Sequence, residues 1–212
     1  MIWLVRHGQS EANAGLVSHD APVIALTPLG LAQAQALADW CPAPPQWVGI
    51  SPFLRARQTA EPLLRRFPNV PASELAVQEF VYLNAAKVGG LSPEERERCS
   101  QVYWDRLDPD HCEGGNAESF ADLIQRCRTF LTWAREQSPL GMVYSHAEFI
   151  RCTLLLAMYP NETDVRKLMQ RYSILRYGWS IPNACIIPGR HERERWWFGG
   201  IDVGHLNPVE GS

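Results

Sequence analysis

Lysine is nearly missing from this 212-residue chain. It occurs only at Lys87 and Lys167, so eighteen of the twenty basic residues are arginine. Against 23 acidic residues this leaves a formal net charge of −3, which removes the polybasic surface that nucleic acid or an anionic membrane would require. Paired cysteines are missing as well. Cys41, Cys99, Cys112, Cys127, Cys152 and Cys185 form no C-x-x-C pair and no zinc-like spacing, so they read as free, mostly buried thiols in a reducing compartment. No long apolar run is present: Leu154–Tyr159 is far too short for a bilayer. Arg6 and His7 interrupt the first apolar stretch too early for a signal peptide. No repeat, linker or low-complexity segment divides the chain. The expectation is a cytoplasmic protein with residues 1–212 in one domain and no membrane or nucleic-acid partner.

What is there begins at the first residues. Met1-Ile2-Trp3-Leu4-Val5 runs without alternation into Arg6-His7-Gly8. Continuous apolarity predicts a strand buried on both faces, as in a parallel sheet. Further strands are predicted at Trp47–Ile50, Leu75–Val77, Gly141–Ser145, Asn183–Ile187 and Arg195–Phe198. Helices alternate with them. Thr27-Pro28 caps one whose apolar stripe is Leu29, Ala32, Ala36, Leu37 and Trp40. Ser51-Pro52 opens the next, Asn116 a third, His146 precedes a fourth ending at Pro160, and Asn161 caps a fifth. Ser92-Pro93-Glu94-Glu95 is a capping box starting a polar helix to about Leu107. That helix lies in the least regular stretch, about 81–115, a candidate lid or specificity segment. Strand–helix alternation predicts an α/β fold: a three-layer α/β/α sandwich on a mostly parallel, doubly wound sheet.

The predicted strand ends concentrate chemistry. The first delivers Arg6 and His7, the second is followed by Arg55, the third leads to Glu79, and the fourth delivers His146. Ligands bind at the carboxyl edge of such sheets. Two arginines and two histidines around one point suit a phosphoryl group, and helix starts after Ser51 and His146 add free N–H donors.

Four stretches in order resemble the motifs of the histidine phosphatase (phosphoglycerate mutase-like) superfamily. They are Leu4-Val5-Arg6-His7-Gly8-Gln9-Ser10-Glu11-Ala12-Asn13, Leu26-Thr27-Pro28-Leu29-Gly30, Ser51-Pro52-Phe53-Leu54-Arg55-Ala56-Arg57-Gln58-Thr59-Ala60, and Tyr144-Ser145-His146. The resemblance implies a phosphoglycerate mutase-like fold and a metal-independent phosphatase that hydrolyses phosphate monoesters through a phosphohistidine, needing no cofactor. It makes His7 the nucleophile and Arg6, Arg55 and His146 the phosphate clamp. Asn13 and Ser10 of the first motif and the backbone N–H of Ala147 become substrate-binding groups. Glu79 is the first candidate for general acid, and Glu148, two residues beyond His146, is the alternative; a third reading has Glu79 merely paired with an arginine.

Three departures stand out. Phe80-Val81-Tyr82-Leu83-Asn84 replaces the stretch many relatives carry after the acid, Ala147 stands where glycine is common, and the paired arginines that phosphoglycerate mutases use for a second substrate anion are not evident after Ser92, where the basic residues read as a solvated helix face. The expected substrate is therefore a small phosphate ester or a phosphoprotein. A phosphoglycerate mutase-type transferase and an inactive phosphate-binding scaffold are the alternatives; oligomeric state is not written in these motifs. His19, His111, His191 and His205 read as surface histidines rather than metal ligands. Arg57 reads as an ion-pair partner, Arg190–Arg195 as a solvated turn, and Trp196-Trp197-Phe198 as core strand.

Overall fold

The computed structural model describes residues 1–16, 21–137 and 139–206. Among these residues six strands form one sheet: β1 Ile2–Arg6, β2 Trp47–Ile50, β3 Ala72–Glu74, β4 Gly141–Ser145, β5 Ile186–Glu192 and β6 Arg195–Phe198. Their order across the sheet is β3-β2-β4-β1-β5-β6. The β3–β2, β2–β4 and β4–β1 pairs are parallel, whereas β1–β5 and β5–β6 are antiparallel. Among the described residues seven α-helices accompany them: α1 Pro28–Trp40, α2 Leu54–Arg66, α3 Ala85–Val88, α4 Pro93–Arg106, α5 Phe120–Glu136, α6 Ala147–Met158 and α7 Val165–Gly178. Among the described residues no helix is long and apolar enough to cross a membrane.

The central strands are buried on both faces because their successive side chains serve opposite layers. Val5, Met142 and Tyr144 pack under α1 and α2 with Leu37, Ala60 and Leu63. Ile2, Leu4 and Val143 face α5, α6 and α7 with Ile124, Ile150, Leu155 and Leu168. Each such fully buried aliphatic contributes about 1.5–3 kcal/mol. This is the expected three-layer arrangement, with the antiparallel hairpin β5–β6 extending one edge.

Several local expectations are corrected. Strand pairing at the third position falls at Ala72–Glu74, not at Leu75–Val77. Val77 is instead a core residue in an irregular segment, and its carbonyl accepts from Ser145 Oγ at 2.6 Å. α2 begins after Phe53, whose side chain cannot cap it; the Ser51 hydroxyl accepts from the Phe53 N–H at 3.3 Å and lies against His146 instead. α5 is capped by a Ser119–Asp122 box rather than by Asn116, and α7 by Asp164 rather than Asn161. On α1, Leu29 and Trp40 are each 39% exposed, while Gln33 is buried. Gln33 turns inward because its Oε1 accepts from the Gln9 N–H at 2.8 Å. His205 is buried too, its Nε2 3.0 Å from the Ala184 carbonyl, so it is no surface histidine. Trp197 is an exposed residue of β6, unlike its half-buried neighbours Trp196 and Phe198. His19 lies outside the described residues. The Ser92 capping box, the α6 span and the free state of all six cysteines agree with expectation.

Candidate active site

Parallel register decides where the two histidines meet. β1 and β4 pair with Arg6 opposite Ser145, so the next residue on each strand, His7 and His146, emerges side by side at the carboxyl edge. The His7 N–H donates to the Ser145 carbonyl at 3.0 Å, and the two ring centroids are 5.1 Å apart. β2 contributes from the other side of β4. Ser51, one residue past Ile50, donates its N–H to the Tyr144 carbonyl at 3.0 Å. Its hydroxyl lies 2.7 Å from His146 Nε2.

His7 is 2% exposed and its hydrogen bonds define its tautomer. Nδ1 lies 2.6 Å from the Gly8 carbonyl, which can only accept, so Nδ1 carries the proton. Nε2 then keeps its lone pair, and Arg55 Nε donates to it at 3.2 Å. Burial holds the His7 pKa well below the ordinary imidazole value, with the Arg55 and Arg6 guanidiniums adding to the effect. His146 is lowered in the same way, by burial first and then by Arg55, His7 and Arg6. Both rings are therefore neutral near pH 7.

The arginines are carried by rigid elements. Arg55 sits on the first turn of α2, over the Phe53 ring at 5.1 Å, and its Nη1 donates to the Ala21 carbonyl at 2.6 Å. Burial lowers its pKa to about 10, with Glu79 opposing the shift, so it stays charged at neutral pH. Arg6 donates through Nη1 to the Ile181 carbonyl, and burial lowers its pKa as well. Two polar atoms of this cluster, Arg6 Nε and His146 Nδ1, are buried without a partner. Orphaned buried groups are costly.

The remaining expected residues gather around this nucleus. Asn13 Oδ1 accepts from Ser10 N–H (3.2 Å), Ser10 Oγ (3.0 Å) and Asn183 Nδ2 (2.9 Å), which leaves its own Nδ2 as the donor end. Asn183 also donates to the His7 carbonyl at 3.2 Å. Ala147 is the first residue of α6, directly after His146, where helical N–H groups lack internal partners. Glu79 Oε1 accepts from the N–H groups of Phe80 and Glu148, both at 3.0 Å. It thereby caps α6 from a distant segment, since His146 provides no side-chain cap. Its pKa is raised, chiefly by burial and then by the Glu148 charge.

The alternative acid is differently placed. Glu148 is paired with Arg151 Nη1 at 2.8 Å and accepts from the Tyr172 hydroxyl. Arg57 is paired with Glu74 at 2.5 Å on the surface, as its place in the motif suggested. Three participants were missed. Ser51 was read only as a cap, Thr59 Oγ1 accepts from Gly8 N–H (3.0 Å) while donating to the Arg55 carbonyl (2.6 Å), and Asn183 ties His7 to Asn13. No local pattern marks Asn183, because its partners lie about 170 residues away. Among the described residues no group of three or more His, Cys, Asp or Glu side chains is placed to hold a metal.

The sequence model of the histidine phosphatase superfamily (branch 1) matches residues 2–179. The chain belongs to this superfamily. Two curated relatives match it. One is a 6-phosphofructo-2-kinase/fructose-2,6-bisphosphatase of Caenorhabditis elegans, 34% identical over 72% of this chain and 33% of its own length. The other is an adenosylcobalamin/alpha-ribazole phosphatase of Salmonella typhi, 36% identical over 62% of this chain and 65% of its own. The chain thus spans about a third of the first and just under two thirds of the second. Solved histidine phosphatase folds superpose along nearly the whole chain. Phosphoserine phosphatase of Entamoeba histolytica, in complex with 3-phosphoglyceric acid, gives a TM-score of 0.70 at 17% identity, covering 97% of this chain and 98% of that one. A putative alpha-ribazole-5'-P phosphatase of Escherichia coli gives 0.71 at 18%, covering 95% and 96%. These place the chain in the phosphoglycerate mutase-like fold.

Proposed function

We propose that this chain, acting as one domain, is a phosphatase that hydrolyses phosphate monoesters through a phosphohistidine at His7. One observation carries the reading: His7 is held as a neutral imidazole with its proton on Nδ1 and its Nε2 lone pair turned to Arg55. That is a nucleophile beside a cation. When an ester enters, its phosphoryl oxygens draw Arg55 away from His7 Nε2 and the Ala21 carbonyl, which frees the Nε2 lone pair, draw Arg6 away from the Ile181 carbonyl, and satisfy the orphaned Arg6 Nε and His146 Nδ1. Nε2 attacks phosphorus in line, the P–O ester bond breaks, and the charge spread over the equatorial oxygens is met by fixed cations. The Nδ1–H bond to Gly8 supports the positive charge that grows on the ring.

Glu79 supplies the leaving oxygen with a proton. Both N–H groups that hold it fall on Oε1, so Oε2 bears the proton that leaves with the alcohol. The resulting carboxylate then takes a proton from the water that attacks the phosphohistidine, which restores His7 and releases phosphate. Ser10, Asn13 and the Ala147 N–H complete the phosphate shell in this reading. Segment 81–115 forms the wall on the leaving-group side. It is anchored there, because Tyr103 and Trp104 of α4 are buried against Phe80, Tyr82 and Tyr172. Curated and structural relatives named for small phosphorylated metabolites favour such a substrate over a phosphoprotein. Cytoplasmic residence fits the six free thiols.

The test is phosphate release from p-nitrophenyl phosphate by the wild-type protein and by His7→Ala. The variant is expected to lose all measurable turnover with an unchanged circular dichroism spectrum. Undiminished turnover removes His7 from the mechanism, and a product phosphorylated elsewhere instead of free phosphate favours the transferase.

A further inference from the structure

Glu148 is the one acidic side chain in the first turn of α6, and it touches Glu79 through its backbone while its carboxylate is immobilised nearby. Its N–H donates to Glu79 Oε1 at 3.0 Å. Arg151 Nη1, one helical turn on, lies 2.8 Å from its Oε1, and the buried Tyr172 hydroxyl donates to its Oε2 and to its carbonyl. Neither partner is loose. Arg151 is fixed by two bonds to the Trp179 carbonyl, at 3.2 and 3.0 Å, and the Tyr172 ring stacks on Trp104 at 5.5 Å. With both oxygens engaged, Glu148 is badly placed to deliver a proton. It is well placed to act on the residue that does.

We propose that Glu148 is a positioning residue that keeps the Glu79 carboxyl protonated and correctly aimed while substrate is bound. Its N–H orients Oε1, and its fixed negative charge opposes a second negative charge beside it. This deepens the phosphatase reading and rests on Glu79 being the acid. The charged groups around Glu79 come from four elements. Glu148 on α6 disfavours its ionisation, whereas Arg55 on α2 and Arg6 on β1 favour it. Arg126 on α5 is spent on Glu118 and on the carbonyls of Ala76 and Gln78, which fix the segment that carries Glu79. In the free site the two arginines oppose Glu148. Once a phosphoryl dianion occupies them, Glu148 dominates, so its effect is concentrated in kcat rather than in kcat/KM.

The experiment is the pH dependence of kcat with glycerol 3-phosphate, whose alkoxide must be protonated as it leaves. Activity falls on the alkaline side as Glu79 loses its proton. In Glu148→Gln this fall is expected about 0.5–1 pH unit lower than in the wild-type enzyme, and in Glu148→Asp, which retains the charge, by a smaller amount. Glu148→Asp carries the test alone if the glutamine variant does not fold. A uniform loss at every pH with the alkaline fall unmoved makes Glu148 merely structural and overturns the proposal, as does a shift to higher pH. Glu79→Gln in the same assay separates the two readings. If it keeps the alkaline fall, Glu79 is not the acid and the role assigned to Glu148 goes with it, whereas a lost fall with an unmoved Glu148→Gln profile sinks the present inference alone.

Discussion

At the scale of single residues the chemistry turns on which nitrogen or oxygen is left open. His7 has one ring nitrogen committed to Gly8 and the other held only by the Arg55 Nε–H. Glu79 has one oxygen committed to two N–H groups and one free. Asn13 has its oxygen saturated and its amide nitrogen available. Each open atom is defined by what holds the other end. The division of labour between His7 and Glu79 has a kinetic consequence. Glu79→Gln is expected to slow alkyl phosphates by about 10²–10⁴-fold, while p-nitrophenyl phosphate, whose leaving group needs no proton, slows far less. Paired rate measurements on the two ester types check it; equal losses on both would remove Glu79 as the acid.

Elements hold these atoms in register through contacts that have no local signature. Gly8 and Gly30 press backbone to backbone. A Cβ on Gly30 would lie 2.0 Å from the Gln9 carbonyl oxygen, and one on Gly8 would lie 2.5 Å from the Gly30 carbonyl oxygen. The start of α1 therefore butts directly against the loop that follows His7, and Gln33 secures it by accepting from Gln9. Gly30→Ala must displace that loop. We expect a loss of about 1–3 kcal/mol in stability from overpacking together with reduced turnover, read by chemical denaturation and by phosphate release. Full activity would show that the loop after His7 tolerates movement.

The same contacts explain what could and could not be read along the chain. Arg6, His7, Arg55 and His146 were legible because buried apolar runs ending in charged residues signal strand ends, and parallel strand ends converge. Glu79 was legible by position, yet the element carrying it was not. Leu75 and Val77 have the spacing of a strand but serve as core plugs, and the ladder forms three residues earlier at Ala72–Glu74. Helix starts were displaced by three residues at both Asn116 and Asn161, since Ser119 with Asp122, and Asp164, offered better-placed oxygens. The stripe of α1 was misread because Gly30 and Gln33 are buried by partners around Gln9, far from any helical periodicity.

The whole molecule bears the cost of its site. His7, His146 and His205 all have pKa values lowered by burial, so the unfolded chain binds more protons than the folded one as pH drops below about 6.5. Stability then falls on acidification. Glu79 acts in the opposite sense: its raised pKa means folding is favoured while it is protonated, and that contribution is lost as pH rises above its ordinary carboxylate range. Glu118, likewise raised by burial, acts as Glu79 does; with three histidines against two carboxylates, the melting temperature is expected to decline from pH 7 to pH 5, and His7→Ala should show a shallower decline. A melting temperature that stays level over this interval would contradict neutral, buried imidazoles.

The most direct measurement is to mix the protein with an aryl phosphate, quench within milliseconds into alkali, where phosphohistidine survives, and map the modified peptide by mass spectrometry. A phosphoryl group on the peptide containing His7, absent from His7→Ala, is the result the account predicts. Steady turnover with no adduct on that peptide, or with one on another side chain, would contradict it.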